Sequence, residues 1–390
     1  MSTPSYDLTA LRHPVSKTLK AVSVFFFIQG LCFGSWASRI PDLKERLELS
    51  EGTLGSILFL LPMGQMTMMP FSGRIAARFG SRNVLRLALA AYSFMLMMIG
   101  QVEHAWQLAI YLYLFGLVGN LCNISVNTQG VQTETLHGRA VFTTFHGLWS
   151  LGGFTGALIG WIMTRMQIDP AHHFPFITLF IWINDAAFQH HLVPRHAFIT
   201  AVPRFRFRPP QGQLLLLGAM TFCTMSVEGC MFDWTGVYFR DIIGADVRYA
   251  SAGYAAFMIT MSGGRFLGDR MAVQFGRSRW VRISGILMAS GIALTVLLPY
   301  LWTATLGCIL VGFGVSSIVP LMYSTAGKDT SIPSSIAIAS VASVGYLGFL
   351  LGPPIIGYIA EAAGLPISFA LMGMGGIVIS LLVSRVRNLS

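Results

Sequence analysis

The segment from Ser72 to Arg86 returns one half-chain later as Gly268 to Arg282. Arg74, Ala76, Phe79, Gly80 and Arg86 fall on Arg270, Ala272, Phe275, Gly276 and Arg282, all at a spacing of 196 in a chain of 390 residues. A match at one constant offset is the mark of a tandem duplication, so whatever the first half folds into, the second half folds into again. Each copy is a short, basic, glycine-bearing loop between two long apolar runs, and parallel repeats of that kind are one way of assembling a membrane protein.

Composition sets the solvent. Hydrophobic residues make up 54% and charged residues 11% of the chain, against roughly 45–50% and about 25% in a soluble domain, so there is too little polar surface to face water. Apolar runs of about 18–25 residues, each long enough to cross about 30 Å of hydrocarbon as a helix, recur along the whole length. They place spans near 20–40, 51–73, 83–101, 105–128, 140–165, 172–187, 213–238, 250–268, 280–300, 302–325, 334–360 and 364–384. The expected fold is an all-α membrane protein with twelve transmembrane helices, six per half, in two bundles related by a pseudo-two-fold parallel repeat. Residues 1–188 form the first bundle, 189–211 a polar His-, Arg- and Pro-rich linker, and 212–390 the second.

The net charge of +10 would suggest nucleic acid in a soluble protein, but the positions of the basic residues give it another meaning. Arg12, Lys17, Lys20, Arg74 to Arg86, Arg139, Arg195 to Arg208, Arg265 to Arg282, Lys328, Arg385 and Arg387 all fall on one side of the twelve-span arrangement, roughly twenty of the 26 Lys and Arg. That side is cytoplasmic by the positive-inside rule, which puts both termini inside a bacterial inner membrane. Asp42, Glu45, Glu48 and Glu103 collect on the other face. The positive charge serves topology and lipid headgroups, and no nucleic-acid partner is expected. The first apolar run has no small-residue cleavage site after it and is read as an uncleaved span.

No cofactor or metal is called for. The five cysteines lie inside expected helices without ligand spacing, and His172-His173 and His190-His191 have no third ligand nearby in sequence. The sixth span is the weak place, being short and interrupted by Asn184 and Asp185. Glycines at spacings of about four mark close helix approach in the fifth span (Gly152, Gly153, Gly156, Gly160) and the eleventh (Gly345, Gly348, Gly352, Gly357, with Pro353 and Pro354). Such faces serve either static packing or sliding, and their equivalence between the halves favours a mechanical role.

Charged groups within a span cost about 2.5–3.5 kcal/mol or more each, so each is a functional candidate. Glu228 lies near mid-depth of the seventh span, with Asp233 further out and Trp234 beside it. The first span carries Gln29-Gly30 where the seventh has Glu228-Gly229, and Trp36 opposite Trp234. Glu228 either couples transport to protons, since a carboxyl that alternates between neutral and charged is what coupling requires, or fixes its helix through hydrogen bonds. Asp233 is placed to pair with Arg39 or Arg240, as a gate latch or as an interfacial ion pair. Asn120, Asn123 and Asn127 form one stripe of the fourth span, followed by Gln129; these amides either contact a polar solute or join helices. His146 and Trp149 lie one turn apart on the fifth span, a stacking surface or a packed pair. Tyr346 is a further candidate. Gln29, Asn123, Asn127, His146 and Glu228 are expected to face one water-filled cavity, because polar groups facing lipid would each cost several kcal/mol.

Several stretches together resemble the YbjJ/MosC-like branch of the major facilitator superfamily: Ser35 to Pro41, Phe145 to Gly152, Glu228-Gly229 with Asp233-Trp234, Gly264-Arg265, and Gly345-Tyr346 with Gly352 to Pro354. The basic loops resemble that superfamily's loop signature, which implies gating roles for Gly73, Arg78, Gly80 and Arg82 and for Arg265, Asp269 and Arg270. Ala77 holds the acidic position of the first loop, so the inner latch is expected only in the second, from Asp269 with Arg265 or Arg270. Gln129 stands where relatives carry Glu. The resemblance implies alternating access in a monomer within the lipid bilayer. The expected activity is secondary transport of a small polar solute, coupled to protons. An efflux pump for amphipathic compounds is the alternative, and a non-transporting membrane sensor or scaffold is the reading from another class. No nucleophile, base or metal constellation suggests an enzyme.

Overall fold

The computed structural model describes residues 14–138, 141–194, 211–246, 249–326 and 334–386. The described chain runs α1 (Val15–Ser38), α2 (Ile40–Arg46), α3 (Glu51–Phe79), α4 (Ser81–Gly100), α5 (Ala105–His137), α6 (Phe142–Arg165) and α7 (Pro170–Phe188). It continues with α8 (Gln213–Asp241), α9 (Ala252–Phe275), α10 (Arg277–Leu297), α11 (Leu301–Ala326), α12 (Ser334–Ala363) and α13 (Leu365–Leu382). Every expected span coincides with one long helix. The short α2 is the addition: the chain breaks at Arg39 and restarts with Pro41 in the first turn of the new helix, where its missing N–H costs nothing. Among the described residues, nine helices are long and apolar enough to cross a membrane by length and composition. Such helices satisfy every backbone group internally, as hydrocarbon demands.

The expected interruption of the sixth span does not occur. Inside a continuous α7, Asn184 returns its amide to the Phe180 carbonyl at 2.8 Å, and Asp185 lies 3.9 Å from the Arg86 guanidinium, a charge contact too long for a hydrogen bond. The helix begins on Asp169, whose side chain accepts from the Ala171 N–H at 2.7 Å, followed by Pro170 at the first position.

The duplication is visible in the backbone. Gly80, between α3 and α4, has φ 85° and ψ 130°; Gly276, between α9 and α10, has φ 80° and ψ 140°. A side chain is strongly disfavoured in that region, so each basic loop turns on a residue that must be glycine. The flanking alanines Ala76 and Ala272 are each 6% exposed, and Phe79 and Phe275 are both exposed.

The chain divides into two compact units, one comprising Met1–Trp36 and Leu60–Arg204, the other Ala37–Phe59 and Phe205–Ser390, with the boundaries falling inside α1 and α3. In the first unit, α1 and α6 meet backbone to backbone. A methyl group added at Gly30 or Gly152 would overlap the carbonyl of Trp149 or Phe27 respectively. Thr178 of α7 donates to the Ser93 carbonyl of α4 at 2.7 Å. In the second unit, α12 lies equally close on α8, with Gly345 against Thr221 and Gly348 against the Phe222 carbonyl. Small residues on one face bring helices close enough for dispersion to hold them in the absence of a hydrophobic drive.

Residues 37–59 belong to the second unit for definable reasons. Ser251 donates to the Ser38 carbonyl at 2.8 Å, and Pro41 fills the space that a side chain at Gly236 would need. Lys44 of α2 bonds both Glu51 and Asp241, while Arg240 pairs with Glu45 and faces Asp42 at 3.7 Å.

Candidate functional site

In the second unit, Glu228 sits near the middle of α8 and Arg265 near the middle of α9, with Arg265 Nη2 donating to Glu228 Oε1 at 3.1 Å. The Glu228 side chain is 13% exposed and that of Arg265 25%, so the pair is set into the unit yet open at its rim. Tyr323 of α11 and Tyr346 of α12 complete the cluster: Tyr323 lies within electrostatic reach of both Tyr346 and Glu228. Four helices thus bring one acid, one guanidinium and two phenols together. Arg265, expected beside Asp269 in the inner gate, reaches Glu228; the Asp269 side chain lies outside the described residues, and Arg270 is exposed.

Tyr323 escaped the sequence reading because a tyrosine in an apolar helix is unremarkable by composition. The usable signal was the repeat: at the spacing of 196, Tyr323 occupies the position of Asn127. Duplication had set two polar side chains at one place in α5 and α11.

One turn and a half beyond Glu228, Asp233 is 8% exposed and Trp234 fully buried. The outer ion pairs differ from expectation. Arg39 donates from Nε to Asp42 at 2.8 Å and Arg240 pairs with Glu45 and Asp42, so the short α2 supplies carboxylates to both guanidiniums in place of Asp233. Asp42 is three residues from Arg39, within one turn, which makes it the nearer partner.

In the first unit, the asparagine stripe of α5 divides. Asn120 accepts from Ser72 of α3 at 2.7 Å, the helix-joining alternative. Asn127 donates to the Asn123 carbonyl at 2.8 Å and to its side-chain oxygen at 3.2 Å, leaving both amides half-buried along one line. Gln129 is a staple: fully buried, it donates to Ser81 at 2.8 Å and to the Val193 carbonyl at 3.0 Å, and accepts from the Val193 N–H at 2.8 Å. His146 stands edge-on to Phe26 and Phe142, at 5.5 and 4.9 Å between ring centres. Trp149 lies 6.0 Å from Phe33.

Gln29 and Trp36 of α1 have unspent hydrogen-bonding capacity. Gln29 is 4% exposed with Oε1 unpartnered, and the buried Trp36 Nε1–H is unpartnered too, as is that of its repeat counterpart Trp234. Buried polar atoms left without a protein partner are uncommon enough to mark places where water or a ligand enters. At the basic loop, Gly73 has open space around it, Arg78 lies over the Phe79 ring at 5.4 Å, and Arg82 Nε is buried without a partner.

Comparison with known proteins agrees with this architecture. The profile of the Major Facilitator Superfamily matches residues 22–336. An uncharacterized MFS-type transporter of Yersinia pestis is 32% identical over 349 residues, 90% of each chain. The membrane protein MosC of Rhizobium meliloti is 30% identical over 354 residues, 89% of this chain and 85% of that one. The crystal structure of the nucleoside transporter NupG superposes with a TM-score of 0.69 over 95% of this chain and 98% of that one; at 14% identity the likeness speaks for the fold. The long helices of the described residues, the repeated glycine turn and these matches place the chain in the Major Facilitator Superfamily, in its MosC-like branch, as a multi-pass membrane transporter.

Proposed function

We propose that this protein is a proton-coupled secondary transporter of the bacterial inner membrane, moving a small polar solute by alternating access as a monomer with both termini in the cytoplasm. The observation that carries the reading is the bond between Glu228 and Arg265, flanked by Tyr323 and Tyr346. An acid and a base at membrane depth are expensive, and a partner that a proton can release turns that expense into a two-state element. Glu228 is the coupling residue and Arg265 its counter-charge. Asn123 and Asn127 offer one free donor group and one free acceptor group to the solute, and Gln29, Trp36, Trp234 and Tyr346 offer further polar contacts. The duplication sets the proposed bundles as residues 1–188 and 212–390, joined by 189–211, with residues 37–59 of the first packing in the second compact unit. Driving energy comes from a gradient, since the basic loops have no strand before them and no phosphate-loop lysine.

Glu228→Gln tests the assignment, because the amide keeps hydrogen-bonding capacity and loses the titration. The variant is expected to exchange solute across proteoliposome membranes and to fail in accumulating it under an imposed proton-motive force. Accumulation at the wild-type level would remove Glu228 from the coupling role.

A further inference from the structure

A second cluster of charge lies in the first unit, between α4 and α7 at the end proposed to be cytoplasmic. The two helices run antiparallel: Gly100 lies against the Pro170 carbonyl, Trp182 Nε1 donates to the Ala90 carbonyl at 3.3 Å, and Asp185 is in charge contact with Arg86 at 3.9 Å. Arg82 stands one turn from Arg86 on the same face of α4, within electrostatic reach of it. Beyond Asp185, residues 186–194 contain no acid, so two guanidiniums share one carboxylate. The other acids among the described residues of the first unit are placed elsewhere. Glu103 and Asp169 stand at the opposite ends of these helices, and Glu134 accepts from the N–H groups of Val141 and Phe142 at 2.8 and 2.7 Å.

The Nε atoms of Arg82 and Arg86 are both buried without a hydrogen-bond partner, while the Arg86 side chain as a whole stays 34% exposed. Guanidiniums held in place by packing, open at their outer edge and short of negative charge suit a phosphate, to whose oxygens each presents parallel N–H groups. Depth identifies the source of that phosphate. Helix α4 has 20 residues, about 30 Å of rise, so it just crosses the hydrocarbon and its first turn lies at the level of the headgroups. Inward of the two arginines the surface turns apolar: Leu87 of α4 and Leu179, Phe180 and Ile183 of α7 are exposed. Acyl chains cover such side chains, and free phosphate has nothing to lay there.

We propose that the seam between α4 and α7 binds one anionic phospholipid, its phosphate held by Arg82 and Arg86 and its acyl chains resting on Leu87 and Ile183. Asp185 competes with the phosphate for Arg86 and so sets the affinity. Glu228 and the transported solute take no part in it.

The test uses the full-length protein, delipidated in maltoside micelles, with dioleoyl phosphatidylglycerol, dioleoyl phosphatidylcholine and inorganic phosphate as probes. Dissociation constants come from the rise in melting temperature, and retained lipid is counted by native mass spectrometry. Phosphatidylglycerol is expected to bind about tenfold more tightly than phosphatidylcholine and to be retained as a single molecule, with no shift from inorganic phosphate at the same concentration. Arg82→Gln should weaken phosphatidylglycerol binding about fivefold, the factor that one basic residue is worth at an anionic surface, and Arg82→Gln with Arg86→Gln should weaken it further. Arg74→Gln, which removes the same charge from the exposed end of α3, should change it less than about twofold. Asp185→Asn should tighten binding and serves if the arginine variants do not fold. Equal binding of the two lipids, a full response to inorganic phosphate, equal losses in Arg74→Gln and Arg82→Gln, or no gain in Asp185→Asn would each overturn the proposal.

Discussion

Replacing Gln129 by leucine probes the most heavily committed polar side chain in the first unit. Its amide holds three hydrogen bonds at 2.8–3.0 Å, two of them to the N–H and carbonyl of Val193, which is 1% exposed. Leucine fits the volume and satisfies none of them, so both backbone groups of Val193 are left buried without a partner. At about 1–3 kcal/mol for each such group, the cost is about 2–6 kcal/mol, larger than the ~0.6 kcal/mol average of single side-chain bonds between membrane helices. Thermal unfolding followed with a thiol-reactive dye is a suitable assay, because Cys32, Cys122, Cys230 and Cys308 are buried free thiols that unfolding exposes. A fall of several degrees in melting temperature is expected, with solute specificity unchanged in the surviving protein. A melting temperature within a degree of wild type would show that Gln129 is not the staple described.

Further outcomes follow from other parts of the structure. Gly80→Ala and Gly276→Ala each force a side chain into a backbone region that disfavours it, and each should cost about 1–3 kcal/mol in the same unfolding assay. Gly73→Ala, with open space around it, should cost nothing measurable. Lys44→Gln removes two partly exposed ion pairs, at about 0.2–1 kcal/mol apiece, and is expected to lower the melting temperature less than Gln129→Leu. A single cysteine introduced as Thr200→Cys should resist a membrane-impermeant thiol reagent in intact cells and react after permeabilisation; labelling from outside would reverse the assigned topology.

Helix positions were legible in the sequence because crossing hydrocarbon needs a run of fixed length, and length survives without knowledge of partners. The repeated turn was legible too, since Gly80 and Gly276 are fixed by backbone geometry and not by neighbours. Partner choice was harder to read. Asn184 and Asp185 look like a break when counted along α7, yet the helix runs through them, with Asn184 bonded to the Phe180 carbonyl and Asp185 in charge contact with Arg86. Asp42 won Arg39 over Asp233 because α2, a helix of only 7 residues, turns the chain where a simple span would have continued. The pairing of Arg265 with Glu228 depends on how α8 and α9 are rotated against each other, which no one-dimensional pattern encodes.

The central claim is that solute and proton move together through Glu228. It is tested most directly by trapping a pH-sensitive dye inside proteoliposomes and adding solute outside, with no other gradient imposed. The account predicts that the lumen of wild-type vesicles acidifies on addition of solute and that vesicles bearing Glu228→Gln show no acidification while still exchanging labelled solute. Solute entry into wild-type vesicles without acidification, or undiminished acidification in the variant, would contradict it.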